Sequence, residues 1–185
     1  IEENSSVKAS NYLERFKKGI EIDTTQCIGS YVFLWGNKQE RTPTWYGIFL
    51  ENGQETESVD VMHYIWNKKW PENRTPQIKT HTLNNKTANE SIVLSSAQKV
   101  SSNLTINDYE SDPIAYRWEV LKESETTKEG GDHEERPAAI PLKITAKEDG
   151  NIDFITPVPG NYRLFVYADD GHGHAATSNI PFRVE

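Results

Sequence analysis

One cysteine and one methionine stand in the whole of the 185-residue chain. A single thiol excludes an intrachain disulfide framework and any metal centre built from several cysteines. Cys27 lies in Gln26-Cys27-Ile28-Gly29, next to apolar residues, the setting of a buried and inert thiol. No stretch approaches the roughly 18 consecutive apolar residues of a bilayer span, and no charged-then-apolar leader opens the chain, so membrane insertion is not expected. Positive charge is also short: 20 Lys and Arg face 28 Asp and Glu, a formal net charge of −8. With no basic cluster to offset that field, nucleic acid and anionic membrane are disfavoured as partners, and neutral or cationic ones are favoured. A phosphate-cradling glycine loop, a dinucleotide fingerprint and a Gly-x-Ser-x-Gly elbow are all missing. The opening Ile1-Glu2-Glu3-Asn4 reads as a cut inside a longer protein.

What is present is an ordinary globular balance, 35% hydrophobic and 26% charged, divided into two blocks. In the first, residues 1–72, Tyr12, Leu13 and Phe16 recur at helical spacing ahead of Lys17, Lys18 and Gly19, and predict a short amphipathic helix. The nearly continuous apolar run Cys27 to Gly36 predicts a strand buried on both faces, as in a parallel sheet. A second helix is expected over 57–66, with Val59, Met62, Ile65 and Trp66 on one face. Helix, buried strand, aromatic loop and helix make the rhythm of one α/β barrel unit, which cannot close a barrel alone. The two prolines of Pro71-Glu72-Asn73-Arg74-Thr75-Pro76 mark a linker.

Residues 73–185 break into short strands separated by turns, expected at 77–83, 91–93, 103–106, 115–122, 139–145, 151–155, 162–168 and 177–184. That spacing predicts an antiparallel β-sandwich, so the chain as a whole should be mainly β. The acidic stretch Glu123 to Pro137, which contains Gly130-Gly131, is expected to form a long exposed hairpin or mobile loop. Five Asn-x-Ser/Thr triplets begin at Asn4, Asn73, Asn85, Asn89 and Asn103, and would accept glycans only on a eukaryotic secretory route.

Two resemblances follow from particular residues. Asn107 to Trp118, an acidic Asp-Pro turn before a Tyr-Arg-Trp strand, followed by Pro157 to Gly171 with its Pro-Gly-Asn-Tyr strand ending in Asp-Asp-Gly, resembles the PKD-type, immunoglobulin-like modules of bacterial surface and secreted enzymes. The resemblance implies that Trp118 is the core aromatic of the module's third strand and Tyr162 the packing aromatic of its sixth. The insertion at 123–137 departs from that pattern. Gly29 to Gly47 resembles the final strand and loop of retaining (β/α)8 glycoside hydrolases, including the family 2 barrels, whose last strand ends in a tryptophan that packs under the sugar ring; Trp35 matches it. Together these imply the C-terminal portion of a secreted, periplasmic or cell-surface glycoside hydrolase, fed with carbohydrate, adjoining an upstream barrel domain and not catalytically complete alone. The alternative is a non-catalytic carbohydrate-binding or adhesion module.

Four groups of residues could carry chemistry. Glu40, in the loop after the expected buried strand, is placed to act as a catalytic acid, a substrate-positioning group or an ion-pair partner of Lys38 or Arg41. Trp35, Trp45 and Tyr46 offer flat apolar faces suited to the C–H faces of sugars, or fill the core. Asp108, Glu110 and Asp112, at alternate positions of one turn, with Asp170 on another strand end, could hold a structural Ca2+; no other cofactor is expected. His172 and His174 have chelating spacing, but no third ligand converges on them from the sequence.

Overall fold

The computed structural model describes residues 1–126, 128 and 131–185. It is mainly β, with a small helical part at the N-terminal end. Among the described residues ten strands form a two-stranded hairpin and two four-stranded sheets.

The hairpin pairs β1 (Asn37–Glu40) with β2 (Thr42–Gly47). One sheet has the order β4-β10-β9-β6, from β4 (Val93–Leu94), β6 (Ala115–Lys122), β9 (Gly160–Asp169) and β10 (Ala175–Val184). The other has the order β3-β5-β8-β7, from β3 (Gln77–Leu83), β5 (Lys99–Asn107), β7 (Ile144–Ala146) and β8 (Ile152–Ile155). All pairings are antiparallel except the short parallel contact of β4 with β10. Alternate residues of both sheets bury a common core that includes Leu83, Val100, Val120, Phe154, Leu164 and Phe182. Tyr162 stacks on Phe182 with ring centroids 5.6 Å apart, and Trp118 bridges the sheets by donating from Nε1 to the carbonyl of Gly150 at 3.1 Å. Both aromatics expected to pack the sandwich therefore do so.

Helix α1 (Ser5–Phe16) starts where the Asn4 side chain accepts from the Val7 amide at 2.9 Å, an N-cap bond, and runs into a π-helical turn at Lys17–Glu21. Its apolar face meets helix α2 (Glu57–Asn67) in a separate small core of Ala9, Ile48, Val61, Met62 and Ile65. The same helix covers part of the β10 edge. Ser5 Oγ accepts from the Thr177 amide at 2.9 Å, Ser6 Oγ accepts from the Ile78 amide at 3.0 Å, and the Glu55 carbonyl accepts from the Ala175 amide. Amides at the edges of β10 and β3 are thereby satisfied by serine hydroxyls and a loop carbonyl rather than by another strand.

A buried polar chain continues this junction. Glu123 pairs with Arg163, whose Nη1 donates to Asn179 at 2.7 Å; Asn179 Nδ2 donates to Glu2 at 2.6 Å, and Glu2 also accepts from Thr42 and Lys8, each at 2.6 Å. Among the described residues each buried Asp, Glu and Arg has at least one hydrogen-bond or ion-pair partner, as burial requires.

The expected strand at 27–36 is overturned. Residues 22–36 carry no strand, and Ile28 (106%), Tyr31 (103%), Phe33 (69%) and Trp35 (56%) are largely exposed. Cys27 is likewise half-exposed rather than buried. An apolar run becomes a buried strand only where layers cover both faces, and here Val32 alone of the run's large apolar side chains packs on the small core. The backbone is instead anchored near its end, where the Leu34 and Gly36 carbonyls accept from the amides of Ile48 and Phe49. Within the expected 123–137 loop, Gly130 lies outside the described residues. Arg41 and Ser124 converge on Glu134 from the described ones.

Candidate functional site

The β1–β2 hairpin projects the aromatic residues. Its return strand buries Thr42, Pro43 and Thr44 and then turns Trp45 outward at 36% exposure. Gly47 makes this possible: at φ +97°, a Cβ there would lie 2.2 Å from the Gly36 carbonyl oxygen. Trp45, Tyr46, Tyr31, Phe33 and Tyr12 line one open groove of about 600 Å³, whose far wall is the polar face of α1. Phe33 meets Tyr46 edge to face at 6.0 Å, and the Tyr12 hydroxyl donates to the Phe33 carbonyl at 2.5 Å. Such a volume and apolar lining match a site for a small ligand or a few sugar rings.

Trp35 does not join this groove. It stacks on Trp66 at 5.9 Å and meets Phe49 edge to face at 5.2 Å, forming a second aromatic surface on the other side of the segment. The three aromatics singled out in the sequence are thus split, with Trp45 and Tyr46 on one side and Trp35 on the other. Glu40 sits in β1, where its carboxylate is held by Lys38 at a short ion pair. The salt-bridge role is the one its geometry supports.

At one end of the sandwich, Asp108, Glu110 and Asp112 bring ligand-capable oxygens within 4.8 Å of one another. Much of their capacity is already used. Asp108 Oδ1 accepts from the amides of Glu110 and Asp112, Asp112 Oδ2 accepts from Asn73 Nδ2 at 2.7 Å, and Glu110 accepts from the Arg74 amide at 3.1 Å. The remaining Asp108 Oδ2 and Asn73 Oδ1 are buried without a hydrogen-bond partner. This hard oxygen set suits Ca2+ among common ions. Asp170 does not belong to it. Its side chain is fully buried and turned inward, accepting from the His172 and His174 amides and holding His174 Nδ1 at 2.6 Å, because the glycine-rich turn needs an acceptor for those donors. His172 instead lies 3.7 Å from Asp112, and no histidine pair forms a metal cluster among the described residues.

Several groups at this end carry no sequence signal that marks them. Arg74 is sandwiched between the rings of Trp70 at 3.9 Å and Tyr109 at 3.7 Å, an arrangement set by loop geometry alone. Asp60 is buried at the start of α2, where its Oδ2 accepts from the Thr75 amide at 2.8 Å; burial pushes its carboxyl up to about 6. His81, flanked by Ser178 and Ser102 hydroxyls and the edge of Trp118, is pushed down to about 3 by burial. Of the groove residues, Tyr31 and Phe33 escaped notice as ligand groups because a continuous apolar run reads as core, and Arg15 because a charged residue in the last turn of a helix reads as a helix stop.

No known protein family matches the sequence, and no curated protein matches it. Among solved structures, a nucleoside hydrolase-related hypothetical protein from Saccharophagus degradans, described as associated with carbohydrate metabolism, aligns at 16% identity over 61% of this chain and 26% of its own, with a TM-score of 0.42. PcoC, a methionine-rich copper resistance protein from Escherichia coli, aligns at 17% identity over 60% of this chain and 99% of its own, with a TM-score of 0.36. This chain therefore spans about a quarter of the first of these proteins, and at such scores neither assigns it a function.

Proposed function

We propose that this chain is an accessory, carbohydrate-binding portion of a secreted or cell-surface glycoside hydrolase, in which the immunoglobulin-like sandwich supports a sugar-facing aromatic groove. The observation that carries the reading is the groove itself: Trp45, Tyr46, Tyr31 and Phe33 present ring faces and edges to solvent beside hydrogen-bonding groups of α1. Aromatic rings bury the C–H faces of sugars while polar neighbours take the hydroxyls. The reaction needs two carboxyl groups set roughly 5 Å or 6.5–9.5 Å apart, and Glu40 is engaged by Lys38, so the catalytic pair belongs in this reading to an adjoining barrel domain. The exposed Ile28 and Trp35, with Trp66, form the surface on which that domain would rest.

Calorimetry of the chain against a panel of oligosaccharides tests the proposal. Trp45→Ala should weaken binding roughly tenfold, the cost of about 1–2 kcal/mol of lost aromatic contact, while the exposed position leaves folding intact. No detectable binding to any glycan, or affinity indifferent to Trp45→Ala, would remove the reading. Turnover of aryl glycosides by the isolated chain, abolished by Glu40→Gln, would return catalysis to it.

A further inference from the structure

One cation of the groove, Arg15 in the last turn of α1, is held by no hydrogen bond or ion pair among the described residues. The acid beside it, Glu14, acts on it through space without a hydrogen bond. Glu14 is held by Lys18, four residues on, and the nearby Tyr12 phenol is engaged with the Phe33 carbonyl. The other cation of the groove is committed: Lys8 donates to Glu2 and to the carbonyls of Thr44 and Trp45, which exhausts its three protons. Glu2 is buried in its polar chain, and the Glu3 carboxylate is engaged by the Asn11 amide, one helical turn or about 6 Å along the axis from Arg15. The groove therefore offers a guanidinium that no hydrogen bond holds, one turn from an acid already engaged by an amide. A second, smaller cavity of about 90 Å³ is lined by the same Arg15, Tyr12 and Tyr31.

We infer that the groove selects acidic oligosaccharides, with a uronate carboxylate received by Arg15 while adjacent rings lie against Trp45, Tyr46 and Phe33. This rests on the carbohydrate-binding reading and names its substrate class. The guanidinium presents a planar fork of donors that matches a carboxylate in a two-bond geometry, which a neutral hydroxyl cannot satisfy. Nothing is moved to make room, since no internal acid has to be displaced from Arg15. A net acidic chain repels polyuronates at long range, so the preference should act at contact and depend on this one side chain.

Trigalacturonate and its fully methyl-esterified counterpart provide the test, because esterification removes the charge and keeps the sugar. The intact chain should bind the acid roughly tenfold to a hundredfold more tightly than the ester, and Arg15→Gln should bring the two affinities together. Arg15→Lys should keep part of the preference, having the charge without the fork. Arg15 is exposed, so both variants should retain the circular dichroism and melting temperature of the parent. Equal affinity of the parent for acid and ester, with both lost in Trp45→Ala, would overturn the uronate assignment and leave the sugar groove standing. A preference for the acid that survives Arg15→Gln would overturn it too. Failure of both ligands to bind, together with all neutral glycans, would remove the groove as a sugar site, and capture of an acidic protein domain in their place would show that the guanidinium serves an interface.

Discussion

Asp60 and His81 make opposite demands on acidity, and their opposition can be measured. Asp60 has its carboxyl raised from an ordinary 3.8 to about 6 by burial. Below the lower value both folded and unfolded chains hold the proton. Between the two values the folded chain keeps a proton that the unfolded chain has released, so stability falls as pH rises, and above 6 the loss is complete. His81 is lowered from 6.5 to about 3, again by burial. As pH drops below 6.5 the unfolded chain takes up a proton that the folded chain refuses, so stability falls with decreasing pH. Each slope is about 1.4 kcal/mol per pH unit, and between pH 4 and 6 the two nearly cancel. Asp60→Asn removes one of them. Its amide can still present an oxygen to the Thr75 amide, and whatever the fixed cost of the buried NH2 group, that cost does not change with pH. Urea unfolding of parent and variant from about pH 4 to 7 should show the variant gaining roughly 2–3 kcal/mol relative to the parent as pH rises. The variant alone should also lose stability steeply toward pH 4, with the His81 slope unmasked. Parallel profiles for the two proteins would refute the assignment of a raised, buried carboxyl to Asp60.

Two further outcomes follow from the geometry. Gly47→Ala drives a methyl group into the Gly36 carbonyl and forces φ +97° on a side-chain-bearing residue, so it should cost roughly 2 kcal/mol or more and lower the melting temperature by about 4 °C or more, with an altered Trp45 fluorescence that follows loss of the hairpin; an unchanged melt would show that the hairpin yields easily. Millimolar Ca2+ should raise the melting temperature by relieving the mutual repulsion of Asp108, Glu110 and Asp112, and Asp112→Asn should abolish the shift; no shift at saturating Ca2+ would remove a cation from that turn.

The sandwich was legible because its signals are local. Strands at Gln77–Leu83 and Ala115–Lys122 fall on their expected bounds, since β-rich runs there are closed by turn residues on both sides. Helix α2 was equally readable from Val59, Met62 and Ile65, and α1 only in part, because its first turn lies over the sandwich and shows serines there instead of apolar residues. The run at 27–36 misled because hydrophobicity reports a wish for cover, and whether cover exists is a tertiary fact. The same limit hid the groove. Trp45 and Tyr46 were marked by type, but their separation from Trp35 depends on which side of one segment each side chain leaves it, and the value of Arg15 depends on which hydrogen bonds folding leaves unmade.

The relay from Glu123 through Arg163 and Asn179 to Glu2 has a bearing on how such a protein can be recombined in evolution or by engineering. A sandwich transplanted without the first residues of the chain would inherit a buried asparagine whose acceptor, Glu2, stayed behind, together with two strand amides that had relied on serine hydroxyls. Inheritance of this module is therefore expected to proceed with its leading helix attached, as a lock that travels with its key.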